Sequence, residues 1–530
     1  MSQASEADFD AALARVQALR ASLQAQQAAP VRLIETHISW VLLTREHAYK
    51  LKKPLRLPFV DFSTLAARRG FCEEELRLNR RLAPDLYLSL VEVRGGAAGP
   101  VFGDAGEVLD VAVKMRRFAD GALWSERLAA GALAPQDVDR LAGRLAAFHR
   151  AAAIAPLASG HGSTAVRARV LRGVVEAIDA WHARARSTLD WPALRDWLHA
   201  QSQALAPLFE ARRRAGCVRE CHGDLHLANL LQQGDEATAF DCIEFDPALR
   251  WIDVLDDIAF AVMDLMAHGA PGLAFRLLDA WLAASGEHDG LPALRLCLAS
   301  RALVRAQVAA LAETQARAAP PGLGAADYVA LALRLAFGAD ARLAITHGLP
   351  GSGKSFVAQR LLEAAGAIRL RSDVERKRLF GLGALQSSRG RGDDIYDPAA
   401  TARTYARLHE LARLALGAGW PVILDAAFLR AAERADVAAL ARQLGVPFAI
   451  LDCRAPLPLL RERLRRRQAR GGDASEADVA VLERLLAHAE PLDAAERAMA
   501  IKIEPDALLA PEELARRWRG QAVASPPSLP

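Results

Sequence analysis

Lysine is scarce in this 530-residue chain: only seven of its 67 lysine and arginine residues are lysines. Where lysine persists against this arginine bias, we expect sites that need a compact, mobile ammonium group rather than a planar guanidinium. The net charge is also small, at +4. A charge balance this close to neutral gives no support for a nucleic-acid-binding or membrane-binding protein.

Cysteine and long apolar runs are scarce as well. The six cysteines are scattered, and Cys217 and Cys221 have no second pair at metal-ligand spacing, so no zinc site is expected. Disulfides are not expected either, because the chain is large and shows no signal-peptide pattern. The polar residues 1–27 contain no apolar signal-peptide core, and the apolar run 258–265 is interrupted by Asp264. We therefore expect a cytoplasmic protein without a membrane partner. Its length predicts about three compact units, because one hydrophobic core does not grow to this size.

The most informative motif is the sequence Gly-Leu-Pro-Gly-Ser-Gly-Lys-Ser at residues 348–355. It follows the apolar run 343–346 and precedes a helical pattern over 356–365, which is the strand–loop–helix context of a P-loop. The glycines let backbone N–H groups face phosphate oxygens, the lysine reaches the β- and γ-phosphates, and the serine hydroxyl suits Mg²⁺. The predicted nucleotide-binding residues are Gly348, Gly351, Ser352, Gly353, Lys354 and Ser355, and Ser355 is also a predicted metal ligand.

Beyond the P-loop, short apolar strands alternate with helical patterns, which predicts a parallel sheet flanked by helices. Ligands bind outside the carboxyl ends of the strands in such sheets. Asp425 ends the apolar strand 421–424, the place of a Walker-B carboxylate that holds Mg²⁺. Asp373 follows the predicted strand 367–370 and has two open interpretations, a catalytic carboxylate or a helix N-cap.

This half resembles the small P-loop kinases, in particular the polynucleotide-kinase and zeta-toxin-like group. The resemblance implies that Asp373 is the base for an acceptor hydroxyl and that nearby basic residues such as Arg376 and Lys377 meet acceptor phosphate.

The arginine-rich run 461–470 resembles the lid of these kinases. Arg463 and Arg467 share a helix face at i, i+4 and are the predicted catalytic arginines, which would neutralise charge on the transferring phosphoryl group. A solvated basic helix is the alternative interpretation. A nucleic-acid groove is not favoured, because no aromatic residues are interleaved with the arginines.

The first half of the chain begins with strand patterns. A leading helix over residues 1–30 is predicted to be loosely attached. A small, mostly antiparallel sheet with one inserted helix is predicted from strands over 39–44, 48–51, 86–93 and 108–115 and a helix over 63–82. Long helical patterns follow, over 135–153 and 165–215.

Polar side chains are then gathered around a predicted hairpin. Asp224 follows a strand end, Asn229 lies five residues later, and Asp241 lies just beyond the turn at 233–235. The D-x-x-x-x-N spacing matches the kinase catalytic loop. One carboxylate would accept the proton of a substrate hydroxyl, while the asparagine and the second carboxylate would hold Mg²⁺ against the ATP phosphates. His222 is expected to be structural.

The His-Gly-Asp sequence that ends at Asp224, with Asn229 and Asp241, resembles the aminoglycoside phosphotransferase and choline-kinase branch of the protein-kinase-like fold. The resemblance implies that Asp224 is the catalytic base and that Asn229 and Asp241 are metal ligands. Residues 145–149 resemble the helix that ends in histidine in this family. The acidic segment 253–257 resembles the one that orients the catalytic loop.

Lys50 resembles the ATP-positioning lysine of this fold, and Glu75 is its predicted ion-pair partner. Lys52 lies on the same strand face, because side chains alternate along a strand, so it remains an alternative to Lys50. Glu73 and Glu74 likewise remain alternatives to Glu75. No G-x-G-x-x-G sequence precedes Lys50, so the nucleotide-covering loop is degenerate or absent.

The sequence thus predicts an α+β protein-kinase-like bilobal domain followed by an α/β P-loop domain with a parallel sheet flanked by helices. The predicted segments are a helical extension over 1–30, the kinase-like domain over 31–318, a linker and connecting helix over 319–340, the P-loop domain over 341–510 and a C-terminal tail over 511–530. The order of the parts resembles bacterial proteins described as bifunctional aminoglycoside phosphotransferase/ATP-binding proteins.

These observations predict an ATP- and Mg²⁺-dependent phosphotransferase with two nucleotide sites, each acting on a small-molecule or nucleotide-like hydroxyl acceptor. A second hypothesis is a single P-loop kinase that a non-catalytic kinase-like module regulates, and the missing glycine-rich loop motivates it. A third is a P-loop ATPase that uses ATP as a switch. The sequence identifies neither acceptor and leaves the oligomeric state open.

Overall fold

The structure, a computed structural model, describes residues 3–57, 60–96, 99–315, 322–388, 395–470, 473–505 and 508–521. The chain divides into two compact units. The first comprises Met1–Arg167 and Arg212–Asp257, and the second comprises Ala168–Ala211 and Ile258–Pro530. The domain boundaries drawn from the sequence stay predictions, and the predicted linker and connecting helix over 319–340 lie partly outside the described residues.

The first unit contains a six-stranded antiparallel sheet. In spatial order its strands are Arg32–Glu35, Ser39–Leu43, His47–Lys52, Val108–Arg116, Tyr87–Gly96 and Gly99–Phe102. A helix, Leu65–Asn79, is inserted along the chain as predicted, and Thr64 caps it by accepting a hydrogen bond from the Ala67 N–H. Arg56–Leu57 and Val60–Asp61 pair as a separate short hairpin.

Apolar side chains cover the sheet on both faces. The N-terminal helix Gln3–Gln27 buries Val16 and Leu19 against Trp40 and Leu42. This helix was predicted to be loosely attached, and that prediction is wrong because the helix contributes to the core. The inserted helix and the strands Tyr87–Gly96 and Val108–Arg116 contribute to a second core cluster.

Short elements complete the first unit. The strands Val218–Glu220 and Trp251–Asp253 pair in antiparallel fashion, and Leu230–Gln233 and Glu236–Ala239 form the predicted hairpin. The helices and 3₁₀ turns here are Trp124–Ala129, Pro135–Ala151, Leu157–Ser159, Leu227–Asn229, Pro247–Arg250 and the first turn of Val254–Ala267.

The helical pattern predicted over 165–215 is divided into three helices, Thr164–Ala185, Trp191–Ala204 and Ala206–Arg214. The first break has a local cause. Asp190 caps the second helix by accepting from the Ala193 N–H at 3.2 Å, and Pro192 occupies its first turn. The helical pattern is therefore present, as a series of three helices.

The second unit contains a five-stranded parallel sheet, as predicted. Its spatial order is Ile368–Arg371, Val422–Asp425, Leu343–His347, Phe448–Cys453 and Ala500–Ile503. The helices that follow the P-loop strand are Lys354–Ala365, Ser372–Leu379, Pro398–Gly417, Ala431–Gln443, Leu457–Arg470, Val479–Ala487, Ala494–Ala498 and Pro511–Arg519. Because the strand before the P-loop pairs directly with Val422–Asp425, the carboxyl end that carries Asp425 lies beside the loop.

Further helices belong to the second unit. They are Pro271–Ser285, the 3₁₀ helix Glu287–Ala293, Leu294–Gln315, Ala325–Phe337 and most of Val254–Ala267. Helix Pro271–Ser285 packs on the P-loop helix Lys354–Ala365. Helices that the sequence assigned to the kinase-like half therefore lie in one compact unit with the P-loop sheet.

The segment predicted as a C-terminal tail begins with an ordered helix. Pro511–Arg519 packs on the P-loop helix and buries Leu514 and Trp518. Residues 522–530 lie outside the described part of the chain. In the described ranges, no helix is long and apolar enough to cross a membrane.

Candidate active sites

The P-loop has a backbone that only glycine adopts readily. Gly348 has φ +140°, and a Cβ there would lie 2.4 Å from the Cys453 carbonyl oxygen, so no larger residue fits. Gly353 has φ +96° and forms the N-cap of the helix Lys354–Ala365. The loop therefore leads directly into a helix N-terminus, where backbone N–H groups favour anions.

Lys354 is half-buried in this loop. Its Nζ donates to the Leu349 carbonyl oxygen at 2.9 Å. Burial lowers the pKa of Lys354, and the nearby Asp425 and Asp373 carboxylates oppose that shift only in part. The ammonium therefore sits where a phosphate would strongly favour its charged form.

Asp425 lies at the end of its strand, next to the P-loop strand. Thr346 Oγ1 donates to the Ala426 carbonyl oxygen at 2.7 Å, and Ser372 Oγ donates to the Asp425 carbonyl oxygen at 3.3 Å. These bonds fix the backbone around Asp425, whose carboxylate lies within 4 Å of Arg369 and Arg371.

The Asp425 carboxylate and the P-loop hydroxyls suit a hard cation. Among the residues that the structure describes, no hydrogen-bond donor reaches the buried atoms Asp425 Oδ2 and Ser352 Oγ. Buried oxygens without a donor are costly unless another group satisfies them. Carboxylate and hydroxyl oxygens are ligands that Mg²⁺ accepts, so the residues fit a magnesium ion held with nucleotide phosphates.

Asp373 lies in the first turn of helix Ser372–Leu379. The N-cap of this helix is Arg371, so the interpretation of Asp373 as the N-cap is wrong. Burial lowers the pKa of Lys354, and the Asp373 carboxylate partly opposes this shift. Burial raises the pKa of Tyr396, and Asp373 adds to that shift. Its position near the P-loop lysine is compatible with the predicted role as a base, which stays a prediction.

The two predicted lid arginines have different partners. Arg463 Nη1 donates to the P-loop carbonyl oxygen of Gly351 at 3.1 Å. Arg467 Nη2 donates to the Ala477 carbonyl oxygen at 2.6 Å, and its Nη1 lies 4.0 Å from Asp473. Arg463 thus contacts the P-loop directly, while Arg467 is held within the lid, whose residues 471–472 lie outside the described part.

The basic residues implied to meet acceptor phosphate are buried and paired. Arg376 Nη1 donates to the Ile395 carbonyl oxygen and to Thr401 Oγ1 at 2.9 and 3.1 Å. Lys377 Nζ lies 3.2 Å from Glu476 Oε1. An acceptor phosphate would have to break these contacts, so the structure favours a supporting role for both residues.

In the first unit, one glutamate receives both candidate lysines. Lys50 Nζ lies 2.9 Å from Glu75 Oε1, and Lys52 Nζ lies 2.8 Å from Glu75 Oε2. Lys50 also contacts Asp241 at 2.5 Å, and Lys52 also contacts Glu244. Neither Glu73 nor Glu74 takes this place: Glu74 pairs with Arg77 and Arg250 instead, and Glu73 is exposed.

Burial and charge set the pKa values in this cluster. Burial alone would raise the pKa of Glu75, but Lys50 and Lys52 outweigh it and lower the pKa to about 2. Burial raises the pKa of Glu244, and Lys52 only partly opposes it. Glu244 lies three residues after Asp241 but belongs to no sequence motif, so the sequence did not predict it.

The predicted catalytic loop is held by a buried carboxylate. Asp257 accepts from the His222 N–H at 3.1 Å and from the Gly223 N–H at 2.7 Å, and His149 Nε2 lies 3.0 Å from its Oδ2. His222 Nε2 lies 2.9 Å from the Phe240 carbonyl oxygen, which joins the loop to the strand before Asp241. Asp257 therefore orients the loop, as the resemblance implied, and His222 is structural.

Asp224, Asn229 and Asp241 lie around this loop. Asn229 Nδ2 donates to both the carbonyl oxygen and Oδ2 of Asp224, each at 3.0 Å. Asp241 has a left-handed backbone, φ +64°, and its N–H donates to the Tyr87 hydroxyl oxygen at 3.1 Å. A non-glycine residue in this conformation is strained and typical of functional sites. The amide and carboxylate oxygens of Asn229 and Asp241 are ligands suited to Mg²⁺.

Comparison with known proteins gives a family match within the second unit and a relative that spans most of the chain. Residues 343–492 match the family model described as an AAA domain. An uncharacterized protein of Mycobacterium tuberculosis is 29% identical over 470 residues, which cover 87% of this chain and 91% of that protein. Because 470 residues exceed the length of either part, this relative shares both.

Two solved structures are similar to separate parts of the chain. A choline/ethanolamine kinase family protein from Mesorhizobium loti is 15% identical, covers 61% of this chain and 93% of its own, and has a TM-score of 0.35. Kti12 of Chaetomium thermophilum, solved with ADP-AlF3, is 18% identical, covers 35% of this chain and 100% of its own, and has a TM-score of 0.28. At these values the fold assignment rests on this chain's own sheets and loops.

The lysine strand, glutamate helix and catalytic-type loop of the first unit make a protein-kinase-like fold, and the second unit contains a P-loop domain. The P-loop and the match to an AAA domain indicate a nucleotide-binding chain. The roles of the individual site residues stay predictions.

Proposed function

We propose that this protein is an ATP-dependent phosphotransferase with two nucleotide sites, each transferring a γ-phosphoryl group to a hydroxyl acceptor. One observation carries the proposal: each unit gathers its own lysine and its own separate carboxylates at one place. In the first unit Lys50 contacts Asp241, and Asp241 and Asp224 both act electrostatically on His222. In the second unit Asp373 and Asp425 both act electrostatically on Lys354.

In the first unit, Asp224 is the proposed base. Transfer forms a bond from the acceptor oxygen to the γ-phosphorus and breaks the bond to the β,γ-bridging oxygen, so that ADP leaves. The acceptor proton passes to Asp224, whose carboxylate Asn229 holds at 3.0 Å. Lys50, held by Glu75, lies on the third strand of the unit, where the ATP-positioning lysine of kinases is found.

In the second unit, the backbone of the P-loop and Lys354 bind the triphosphate, and Asp373 takes the acceptor proton. Arg463, on the P-loop carbonyl of Gly351, is the better placed of the two lid arginines to meet the transferring group. Bound Mg²⁺ supplies charge neutralisation on the phosphates; Asn229 and Asp241 would hold it in one unit, Ser355 and Asp425 in the other.

The proposed acceptors are small molecules or nucleotides that carry a free hydroxyl, with nucleic acid less favoured. The order of the parts, which resembles bifunctional aminoglycoside phosphotransferase/ATP-binding proteins, supports two activities in one chain. It does not supply an acceptor.

Counting nucleotide sites tests the proposal. We expect calorimetry with a non-hydrolysable ATP analogue and Mg²⁺ to give two sites per chain, one lost in Lys354→Ala and the other in Lys50→Ala. Lys502→Ala is the matched control, because Lys502 is an exposed lysine on the edge strand Ala500–Ile503. A chain that keeps full binding when Lys354 and Lys50 are both replaced would refute the proposal.

A second candidate function makes the first unit a regulatory module without catalysis. The turn between Arg32–Glu35 and Ser39–Leu43 favours it, because this turn is closed by Thr36 and contains no glycine. A tight turn leaves little backbone to cover phosphates, which kinases do with a glycine-rich loop. Residual phosphoryl transfer in Lys354→Ala that Asp224→Ala abolishes would exclude this alternative, whereas a single calorimetric site that Lys354→Ala removes would favour it.

A further inference from the structure

A buried ion pair ties a helix from outside the P-loop domain to the P-loop site. Arg369, on the strand Ile368–Arg371, donates to Asp279 on the helix Pro271–Ser285, with Nη2–Oδ2 2.6 Å and Nε–Oδ1 3.2 Å. Both side chains are more than nine-tenths buried. The two parallel bonds fix the plane of the guanidinium, so the third nitrogen has a defined direction.

That third nitrogen reaches the proposed metal site. Arg369 Nη1 donates to the Ser355 carbonyl oxygen at 3.2 Å and lies 3.9 Å from Asp425 Oδ2. Arg369 therefore contacts the backbone of Ser355, one proposed magnesium ligand. It lies slightly too far from Asp425, the other proposed ligand, to form a hydrogen bond.

The neighbouring charges explain why this spacing matters. A guanidinium that moved onto Asp425 Oδ2 would form a strong charge-assisted bond and compete with a cation for the same oxygen. Asp279 neutralises Arg369 from the far side and holds it away. Arg371 lies on the same strand face, with its Nε 3.5 Å from Asp425 Oδ2. Its Nη2 lies 3.6 Å from Asp473, so this arginine also has a second carboxylate partner.

We propose that Asp279 and Arg369 are positioning residues of the P-loop site: Asp279 holds Arg369 so that it supports Ser355 without occupying the metal-binding oxygen of Asp425. The inference rests on the proposed function of this site. It makes the helix Pro271–Ser285, which the sequence assigns to the kinase-like half, a working part of the P-loop kinase.

The test measures how binding of a fluorescent non-hydrolysable ATP analogue to the full chain depends on the Mg²⁺ concentration. Only the binding that Lys354→Ala abolishes is counted, because this is the binding at the P-loop. Asp279→Asn removes the charge that restrains Arg369. We expect it to raise the Mg²⁺ midpoint about 10- to 100-fold, the usual effect of losing a residue that supports metal ligands. Binding of the analogue without metal should change much less.

Two further variants separate positioning from simple destabilisation. The double variant Asp279→Asn/Arg369→Met removes the competing guanidinium, so its Mg²⁺ midpoint should return toward that of the unmodified chain. The matched control is Glu363→Gln. Glu363 pairs with Arg276 at 2.8 Å and joins the helix Pro271–Ser285 to the P-loop helix Lys354–Ala365, but it lies about 12 Å along the P-loop helix from Ser355, at 1.5 Å per residue. This control should leave the midpoint unchanged.

The outcomes are distinguishable. A Mg²⁺ midpoint in Asp279→Asn that stays within twofold of the unmodified chain, with the protein folded by its thermal midpoint, would overturn the inference. So would a double variant that is as impaired as Asp279→Asn. Absence of any Lys354-dependent, Mg²⁺-dependent binding in the unmodified chain would instead refute the proposed function itself.

Discussion

Lys52 Nζ lies 2.8 Å from Glu75 Oε2, and solvent reaches neither side chain. Glu75 thus belongs to two lysines at once, because Lys50 occupies its other oxygen. The remaining contacts separate the two lysines. Lys50 extends to Asp241, which is partly exposed, whereas Lys52 extends to Glu244, which is buried. Lys50 is therefore the lysine that faces the proposed nucleotide site, and Lys52 is part of the buried ion-pair cluster that supports it.

Replacing each lysine should give different losses. Lys50→Met should abolish nucleotide binding by the first unit and leave most of its stability, because Glu75 keeps Lys52. Lys52→Met should lower the free energy of unfolding by about 3–5 kcal/mol, the cost of breaking one partner out of a buried ion pair. Denaturant unfolding and calorimetry measure both. The roles of the two lysines would be reversed by the opposite result. In that case the Lys52→Met protein would be stable but unable to bind nucleotide, and the Lys50→Met protein would bind it.

Asp224→Asn should slow phosphoryl transfer by the first unit about 10²- to 10⁴-fold, the range for loss of a general base. Affinity for the ATP analogue should change little, because the carboxylate is proposed to face the acceptor. The rate is measured in the Lys354→Ala background, which removes the second site. Asp235→Asn, at the exposed hairpin turn, is the control, and an unimpaired Asp224→Asn enzyme would rule out the proposed base.

The stability of the first unit should fall in acid because of Glu75. The folded-state pKa of Glu75 is lowered from 4.5 to about 2, so the native state favours its charged form. That contribution is complete above pH 4.5 and is lost as the pH falls toward 2. We expect the slope of unfolding free energy against pH in this window to be smaller in Glu75→Gln than in the unmodified chain. Equal slopes would show that other carboxylates control acid unfolding.

Nucleotide binding by the second unit should weaken in mild alkali. Burial lowers the pKa of Lys354 below 10.5 in the nucleotide-free chain, and phosphate binding requires its charged form. The affinity for the ATP analogue should therefore begin to fall at a lower pH than an ordinary lysine would allow. Lys354→Arg should bind more weakly but without this pH dependence, because arginine stays protonated. An identical pH profile in both proteins would contradict the prediction.

Trp518→Ala should destabilise the second unit. Trp518 is fully buried where the helix Pro511–Arg519 meets the P-loop helix, and its backbone oxygen accepts from Arg342 Nη1 at 2.9 Å. Truncation of a buried tryptophan costs about 3–5 kcal/mol. Thermal or denaturant unfolding measures the loss, and Arg519→Ala, at the exposed end of the same helix, serves as the control. A change below about 1 kcal/mol, no more than an ordinary substitution causes, would show that this helix is dispensable.

Local sequence patterns determined much of this protein. The P-loop could be read directly because its glycines, lysine and serine are contiguous and their spacing follows from the geometry of phosphate binding. The alternation of strands and helices predicted the parallel sheet, and the Asp224–Asn229 spacing predicted the loop that Asp257 holds. Such features depend on neighbours within a few residues, which a sequence shows.

Only the tertiary structure decided which distant charges meet. Period-two alternation put Lys50 and Lys52 on one face but could not say that both would reach Glu75, because that depends on how the inserted helix packs. Glu244 and Asp279 carry no motif and acquire meaning only from the basic side chains folded against them. The burial of Trp518 could not be predicted for the same reason. A nine-residue basic helix has the sequence pattern of a solvated tail, and only its packing on the P-loop helix buries the tryptophan. Burial and long-range pairing are properties of the packed chain, and no local pattern encodes them.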